Sequence, residues 1–132
     1  MRIALMTRRL FVPALAAVLA APALADGAVV PHLKLKRAFP AADTVLTASP
    51  DAVRLWLSEP ADLPATKIDV TSADGAKVPL AKLTRGGSRE DPVVGTFSTS
   101  LASGTYTITW KAMSKDGHVV NGKHNFRVAL AP

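Results

Sequence analysis

The sequence has no cysteine among its 132 residues. The chain therefore forms no disulfide bond, and it has no thiolate for nucleophilic catalysis or for a cysteine-based zinc or Cu(I) site. Small exported domains often depend on disulfides, but a domain of about 100 residues buries enough apolar surface to fold without them. We therefore expect a core that is held together by packing alone.

A strong charge of one sign is also missing. The full chain has 16 basic and 10 acidic residues, a formal net charge of +6. Three of the basic residues, Arg2, Arg8 and Arg9, lie in an N-terminal segment that we expect to be removed, which lowers the net charge to +3. That value is ordinary for a soluble domain, so the charge gives no indication of nucleic-acid binding.

Long apolar runs are confined to the N-terminus. A basic start is followed by an apolar run over residues 10–19 and by the small residues 23–25, which a signal peptidase accepts. This order predicts a signal peptide over residues 1–25 and an exported, periplasmic domain over residues 26–132. A membrane anchor is the weaker interpretation, because the run is short and lacks a basic flank at its end. Residues 7–11 resemble a twin-arginine signal, so both the Sec and the twin-arginine routes stay open.

The remaining sequence alternates between apolar and polar residues. Val53, Leu55 and Leu57 share one face of a segment, and alternation of this kind is typical of half-buried strands. Turn signals such as Asp74-Gly75, Asp116-Gly117 and Asn121-Gly122 separate the segments. We predict one all-β domain, an immunoglobulin-like Greek-key sandwich or barrel. Its strands number about seven, near residues 33–37, 53–57, 67–71, 77–83, 94–100, 105–110 and 125–130.

The two tryptophans are expected to differ in burial. Trp110 alternates with Tyr106 and Ile108, which places it in the core, whereas Trp56 lies opposite Leu55 and is expected to be half exposed. The basic residues Lys34, Lys36 and Arg37 fit either an acidic partner or a solvated strand face. Of these two interpretations the sequence favours the solvated face.

The chain has three histidines, His32, His118 and His124. In Asp116-Gly117-His118 a glycine permits a turn that brings a carboxylate and an imidazole to one side, a donor pair that suits Cu(II). The alternative is a plain turn in which Asp116 accepts backbone hydrogen bonds. Local chemistry alone favours the plain turn.

Several motifs taken together resemble the copper resistance protein C family, over residues 32 to 128. They are His32-Leu33-Lys34-Leu35, the Phe39-Pro40-Ala41-Ala42-Asp43 segment, Ser49-Pro50, residues 53–60 (VRLWLSEP), residues 104–110 (GTYTITW) and Ser114-Lys115-Asp116-Gly117-His118. The resemblance implies a small periplasmic β-sandwich or barrel that binds copper. It also implies Cu(II) ligands at His32, Asp116 and His118.

One departure from the family pattern concerns the N-terminus. In the family the first histidine is often also the first mature residue, whose free amine joins the metal. Here the predicted first residue is Asp26, and cleavage directly before His32 would have to follow Pro31. We therefore expect weaker Cu(II) binding or a replacement ligand. His124 is the candidate replacement, because it shares its strand face with Phe126; the alternative, slightly favoured, is an inward histidine that donates to a backbone carbonyl.

The family's other known site is a methionine-rich Cu(I) site. Met113 is the sole methionine after residue 25, and one thioether builds no soft-ligand cluster, so we favour Cu(II) over Cu(I). The predicted function is copper resistance or homeostasis by sequestration or delivery, without catalysis and without stable membrane insertion. The family implies a membrane copper-transport protein as partner. The alternatives are a metal-free interaction module and, less favoured, a histidine-brace monooxygenase, which needs histidine as the first mature residue.

Overall fold

The computed structural model describes residues 33–132, which fold into two β-sheets. The described chain has nine strands and one short 3-10 helix at Leu63–Ala65. The strands are β1 (Leu35–Phe39), β2 (Thr44–Leu46), β3 (Ala52–Leu57), β4 (Lys67–Ser72), β5 (Lys77–Val78), β6 (Thr84–Arg85), β7 (Val93–Thr96), β8 (Gly104–Met113) and β9 (Val119–Val128). Over these residues there is no helix with the length and apolar character needed to cross a bilayer.

The first sheet has the strand order β1-β3-β7-β6, and the second has the order β2-β9-β8-β4-β5. Neighbouring strands are antiparallel, except that β2 runs parallel to β9. The predicted all-β sandwich is confirmed. The predicted signal peptide lies outside the described residues.

The strand count exceeds the predicted seven for two local reasons. Residues 77–83 were expected to form one strand, but the ladder stops at Val78, and Pro79, which has no N–H to donate, follows it directly. The chain then leaves the second sheet and joins the first one as β6. Strand β2 has only three residues, too few for an alternating pattern to be seen in the sequence.

The core lies between the sheets and follows the predicted alternation. Leu55 on β3 and Ile108 on β8 are fully buried, and Trp110 is 6% exposed, as expected for a core tryptophan. The Tyr106 ring stacks on Phe126 at a centroid distance of 5.5 Å, and its hydroxyl donates to the carbonyl of Ala102. The tyrosine thus buries its ring while its polar group keeps a partner.

Gly122 corrects one turn prediction. Asn121-Gly122 was expected to punctuate the chain before the last strand, but both residues lie inside β9, and Gly122 faces Trp110 across the β8–β9 ladder. A Cβ atom at Gly122 would lie 2.6 Å from the Trp110 indole. The glycine is therefore explained by the close approach of a large ring, because no other residue leaves that space empty.

Backbone contacts bring three parts of the chain to the same end of the sandwich. Strands β8 and β9 form one long hairpin whose turn is residues 114–118. The amide of Asp62 donates to the carbonyl of Met113, at the end of β8. Lys34 and Ser58 exchange two hydrogen bonds of 2.8 Å, and Leu33 is buried at 2% exposure. The described chain therefore begins at the end where the β8–β9 turn lies.

Candidate metal centre

The Asp116-Gly117-His118 motif forms the turn of the β8–β9 hairpin. The Ser114 amide donates to the His118 carbonyl at 2.8 Å, and the Gly117 amide donates to the Ser114 carbonyl at 3.0 Å. Gly117 has a φ of +89°, a left-handed conformation that glycine adopts without a steric penalty. These bonds place the Asp116 carboxylate and the His118 ring on the same side of the turn.

The two carboxylate oxygens of Asp116 have different roles. Oδ1 accepts a hydrogen bond from the Ser114 hydroxyl and a longer one from the His118 amide. Oδ2 lies 2.8 Å from Nδ1 of His118. One oxygen therefore stabilises the turn while the other faces the imidazole, so the plain turn and the donor pair exist together.

These contacts favour the ionised form of the Asp116 carboxyl. Its pKa falls to about 2, first because of the hydrogen bond from Ser114, and then because of the side-chain and backbone hydrogen bonds from His118. The carboxylate is accordingly ionised over the whole range of pH in which an imidazole is neutral. The carboxylate is then in the protonation state that a metal ligand needs, whereas Nδ1 of His118 must give up the proton that it donates to Oδ2 before it can bind an ion.

Ser114 is the residue that sequence reasoning missed. It is buried at 2% exposure, and its hydroxyl fixes Oδ1 of Asp116. The signal was present in the sequence, because serine two residues before an Asp-Gly step forms side-chain hydrogen bonds that stabilise such turns. Its role is to position the carboxylate.

The chain contains a second turn of the same construction, between β4 and β5. In residues 72–76, Ser72 donates to Asp74, Gly75 has a φ of +86°, and the Ser72 amide bonds the Ala76 carbonyl at 2.9 Å. The pKa of Asp74 is lowered mainly by Ser72. Ala76 stands where the other turn has His118. The hairpin turn therefore needs no histidine. The two turns differ at His118, which replaces Ala76, and at Lys115, which replaces Ala73.

The Asp116–His118 pair fits two adjacent positions of a Cu(II) site. Donors that bind one metal at about 2.0 Å each and at a right angle lie about 2.8 Å apart, and square-planar Cu(II) has such angles. The observed Nδ1–Oδ2 distance is 2.8 Å, which is the length of a hydrogen bond from Nδ1–H to the carboxylate and also equals this separation. The His118 side chain is 69% exposed and that of Asp116 is 47% exposed, so an ion reaches both without rearrangement of the core.

Of the other predicted ligands, only His124 is among the described residues, and it does not join this pair. His32 lies outside the described residues. His124 is in β9, six residues beyond His118, or about 20 Å along an extended strand. Its Nε2 atom lies 2.9 Å from the carbonyl oxygen of Pro40, which is the backbone contact expected from the alternative interpretation. In residues 33–132 no group of three or more histidine, aspartate or glutamate side chains is arranged to hold a metal ion.

Together, the fold and the Asp–His pair define a class: a small β-sandwich that carries candidate metal ligands in a hairpin turn at one end. The CopC domain model matches residues 35–129, which is most of the chain. The chain therefore belongs to the CopC family, as the resemblance predicted.

Curated relatives and solved structures agree with this assignment. Protein YobA of Escherichia coli (strain K12) is 29% identical over 97 residues, which are 74% of this chain and 78% of YobA. Copper resistance protein C of Escherichia coli is 29% identical over 103 residues, covering 74% and 81% of the two chains. The crystal structure of CopC from Methylosinus trichosporium OB3b matches with a TM-score of 0.70 and 26% identity, covering 76% of this chain and 97% of that one. PcoC, a methionine rich copper resistance protein from Escherichia coli, matches at 0.65 and 26%, covering 74% and 99%.

Proposed function

We propose that the protein binds copper as Cu(II) in the periplasm and acts in copper resistance or homeostasis. The ligands are His118, Asp116 and His32. The observation that carries the proposal is the 2.8 Å distance between Nδ1 of His118 and Oδ2 of Asp116, in a turn otherwise duplicated without a histidine. The protein acts by binding and releasing the ion, without catalysis.

The preference for Cu(II) follows from the donor types. A carboxylate oxygen and an imidazole nitrogen suit Cu(II), whereas Cu(I) prefers thiolate and thioether sulfur. The chain has no cysteine, and Met113 is its sole methionine after residue 25. The relative PcoC is described as methionine rich. This chain lacks that composition, so its metal chemistry rests on oxygen and nitrogen.

His32 is proposed as the third ligand because of where the described chain begins. Leu33 is buried, and Lys34 is held to Ser58 at the end of the sandwich that carries the 114–118 turn. His32 directly precedes Leu33 in the sequence, so we propose that it supplies its imidazole at this end. A third donor from there closes a site that the turn alone leaves open.

The biological role follows from export and exposure. The predicted signal peptide delivers the domain to the periplasm, and an open, exposed ligand pair exchanges its ion more readily than a buried one. We therefore propose sequestration of Cu(II) or its delivery to a membrane copper-transport protein.

A Cu(II) titration of the exported protein tests the proposal. Wild type is expected to bind one equivalent, and His118→Ala and His32→Ala are each expected to weaken binding. Asp74→Asn is the matched control for Asp116→Asn, because it makes the same change in the turn that has no histidine. Equal Cu(II) binding by wild type and the His32→Ala/His118→Ala double variant would refute copper binding at this site. The intact mass of the same material fixes its first residue, and Asp26 there excludes a histidine brace.

A further inference from the structure

The outer face of the first sheet carries arginine and aromatic side chains in alternation. Arg37 on β1 lies over the ring of Trp56 on β3, with its guanidinium carbon 3.9 Å from the ring centroid. One step along the same strands, Arg54 lies 5.8 Å from the ring centroid of Phe39. Because Leu55 faces the core, both pairs face outward. Trp56 is half-buried, as predicted, under the guanidinium of Arg37.

The two arginines differ in charge pairing. Arg54 makes two hydrogen bonds to Asp51, of 3.0 and 3.1 Å, which balance its charge. In the part of the chain that the structure describes, the side-chain nitrogens of Lys36, Arg37 and Arg89 have no carboxylate within 4.0 Å. The unbalanced positive charge is therefore concentrated at one end of the face.

That end is concave. A groove of about 640 Å³ is lined by Lys36, Arg37, Trp56, Arg89 and Glu90, together with residues at the end of β3. Its side chains contribute three positive charges and one negative charge. Trp56 provides an apolar floor, and the planar guanidinium groups match the geometry of carboxylates.

The groove lies next to the candidate metal centre. Arg89 lines both the groove and a second cleft, whose other lining residues are Glu59, Pro60, Lys115 and Asp116. A segment bound at Arg89 would therefore lie near the carboxylate that faces His118.

We propose that this groove is a docking surface for an acidic segment of a partner protein, placed so that the bound partner lies next to Asp116 and His118. Carboxylates of the segment pair with Arg37 and Arg89, and its apolar side chains contact Trp56. A role in copper exchange rests on the proposed function, whereas the docking itself needs no metal.

An anionic membrane surface is the less suitable partner for this groove. The outer face of the second sheet presents the exposed Lys67, Lys111 and Lys123 on neighbouring strands, where they line a separate cleft that has no arginine. A bilayer surface is flat, whereas Trp56 is half-buried in a concave groove whose arginines match the geometry of carboxylates. The lysine face therefore provides matched control positions with the same charge.

Fluorescence anisotropy of a short fluorescein-labelled peptide of alternating Glu and Ala tests the docking on metal-free protein. Saturable binding is expected at low salt, with loss at about 1 M salt, where charges are screened beyond about 3 Å. Arg37→Gln and Arg89→Gln should each weaken binding by about threefold, as expected for an exposed ion pair, while Lys111→Gln should leave it unchanged. A peptide of alternating Gln and Ala should not bind.

Three outcomes would overturn the proposal. The first is absence of saturable peptide binding, and the second is an equal loss of binding in Lys111→Gln. The third is that Arg37 and Arg89 are needed for binding to phosphatidylglycerol vesicles but not for binding to the peptide. Cu(II) titration of Arg37→Gln separates the two proposals, because its copper binding is expected to equal that of wild type. If copper binding fails while the peptide still binds, the docking surface stands and only its role in copper exchange is lost.

Discussion

The indole of Trp110 occupies the space that a side chain at Gly122 would need. The two residues face each other across the β8–β9 ladder, and a Cβ atom at position 122 would lie 2.6 to 2.7 Å from three atoms of the ring. Since Trp110 is buried at 6% exposure, the ring has little room to move away. The long hairpin that carries the candidate metal turn therefore depends on this contact.

Gly122→Ala is expected to lower the free energy of unfolding by about 1–3 kcal/mol, because the added methyl group overpacks the core beside Trp110. Urea denaturation followed by tryptophan fluorescence measures the change. Gly87→Ala is the control, since a Cβ atom at that position would have open space within 4 Å and the φ of Gly87 is not positive. Equal stability of Gly122→Ala and wild type would show that the ring is not packed as described.

The fold could be predicted from the sequence where apolar and polar residues alternate over several positions. It could not be predicted where a single tertiary contact determines the local structure. Alternation over several residues identified the core faces of β3 and β8 and the burial of Trp110. The three-residue β2 has no pattern of its own, because its pairing partner is about 80 residues away in β9. Gly122 resembled a turn signal in the sequence. The structure explains the glycine by its tertiary contact with the Trp110 ring, which the sequence does not show.

The candidate site divides in the same way. The Asp116-Gly117-His118 turn follows from local chemistry, since a positive-φ glycine and short hydrogen bonds define it within five residues. The contact of His124 with the Pro40 carbonyl joins residues 84 positions apart, so the sequence left two interpretations open. Whether His32 completes the site is a prediction that only metal binding can test.

Ser114→Ala is expected to raise the pKa of Asp116 from about 2 toward its ordinary value of 3.8, because the serine hydroxyl is the largest cause of the shift. A folded-state pKa below the unfolded value stabilises the fold above pH 3.8, and this stabilisation is lost as the pH falls toward 2. The variant should therefore lose less stability on acidification. NMR titration of the carboxyl carbon in metal-free protein measures the pKa; Ser72→Ala should leave Asp116 unchanged while it raises the pKa of Asp74.

His118→Ala and His124→Ala are expected to have opposite effects. His118 is 69% exposed, so its removal should change stability by less than about 0.5 kcal/mol while it weakens Cu(II) binding. His124 is half-buried and bonded to the Pro40 carbonyl, so its removal should cost about 1 kcal/mol and leave Cu(II) binding unchanged. Thermal denaturation and Cu(II) titration of both variants measure the two effects. Weaker Cu(II) binding in a folded His124→Ala protein would indicate that His124 is a copper ligand after all.

Ala76→His would build an Asp–His pair in the second turn, which already has the serine, the aspartate and the positive-φ glycine. Ala76 is exposed, so the new imidazole fits without disturbing the core. In a His118→Ala background, Ala76→His should bind Cu(II) more tightly than His118→Ala alone but more weakly than wild type, because the new pair lies far from Leu33 and gains no donor from His32. Competition with a chromophoric Cu(II) chelator measures the three affinities. Affinity equal to wild type would show that the turn alone makes the site and that His32 is not a ligand.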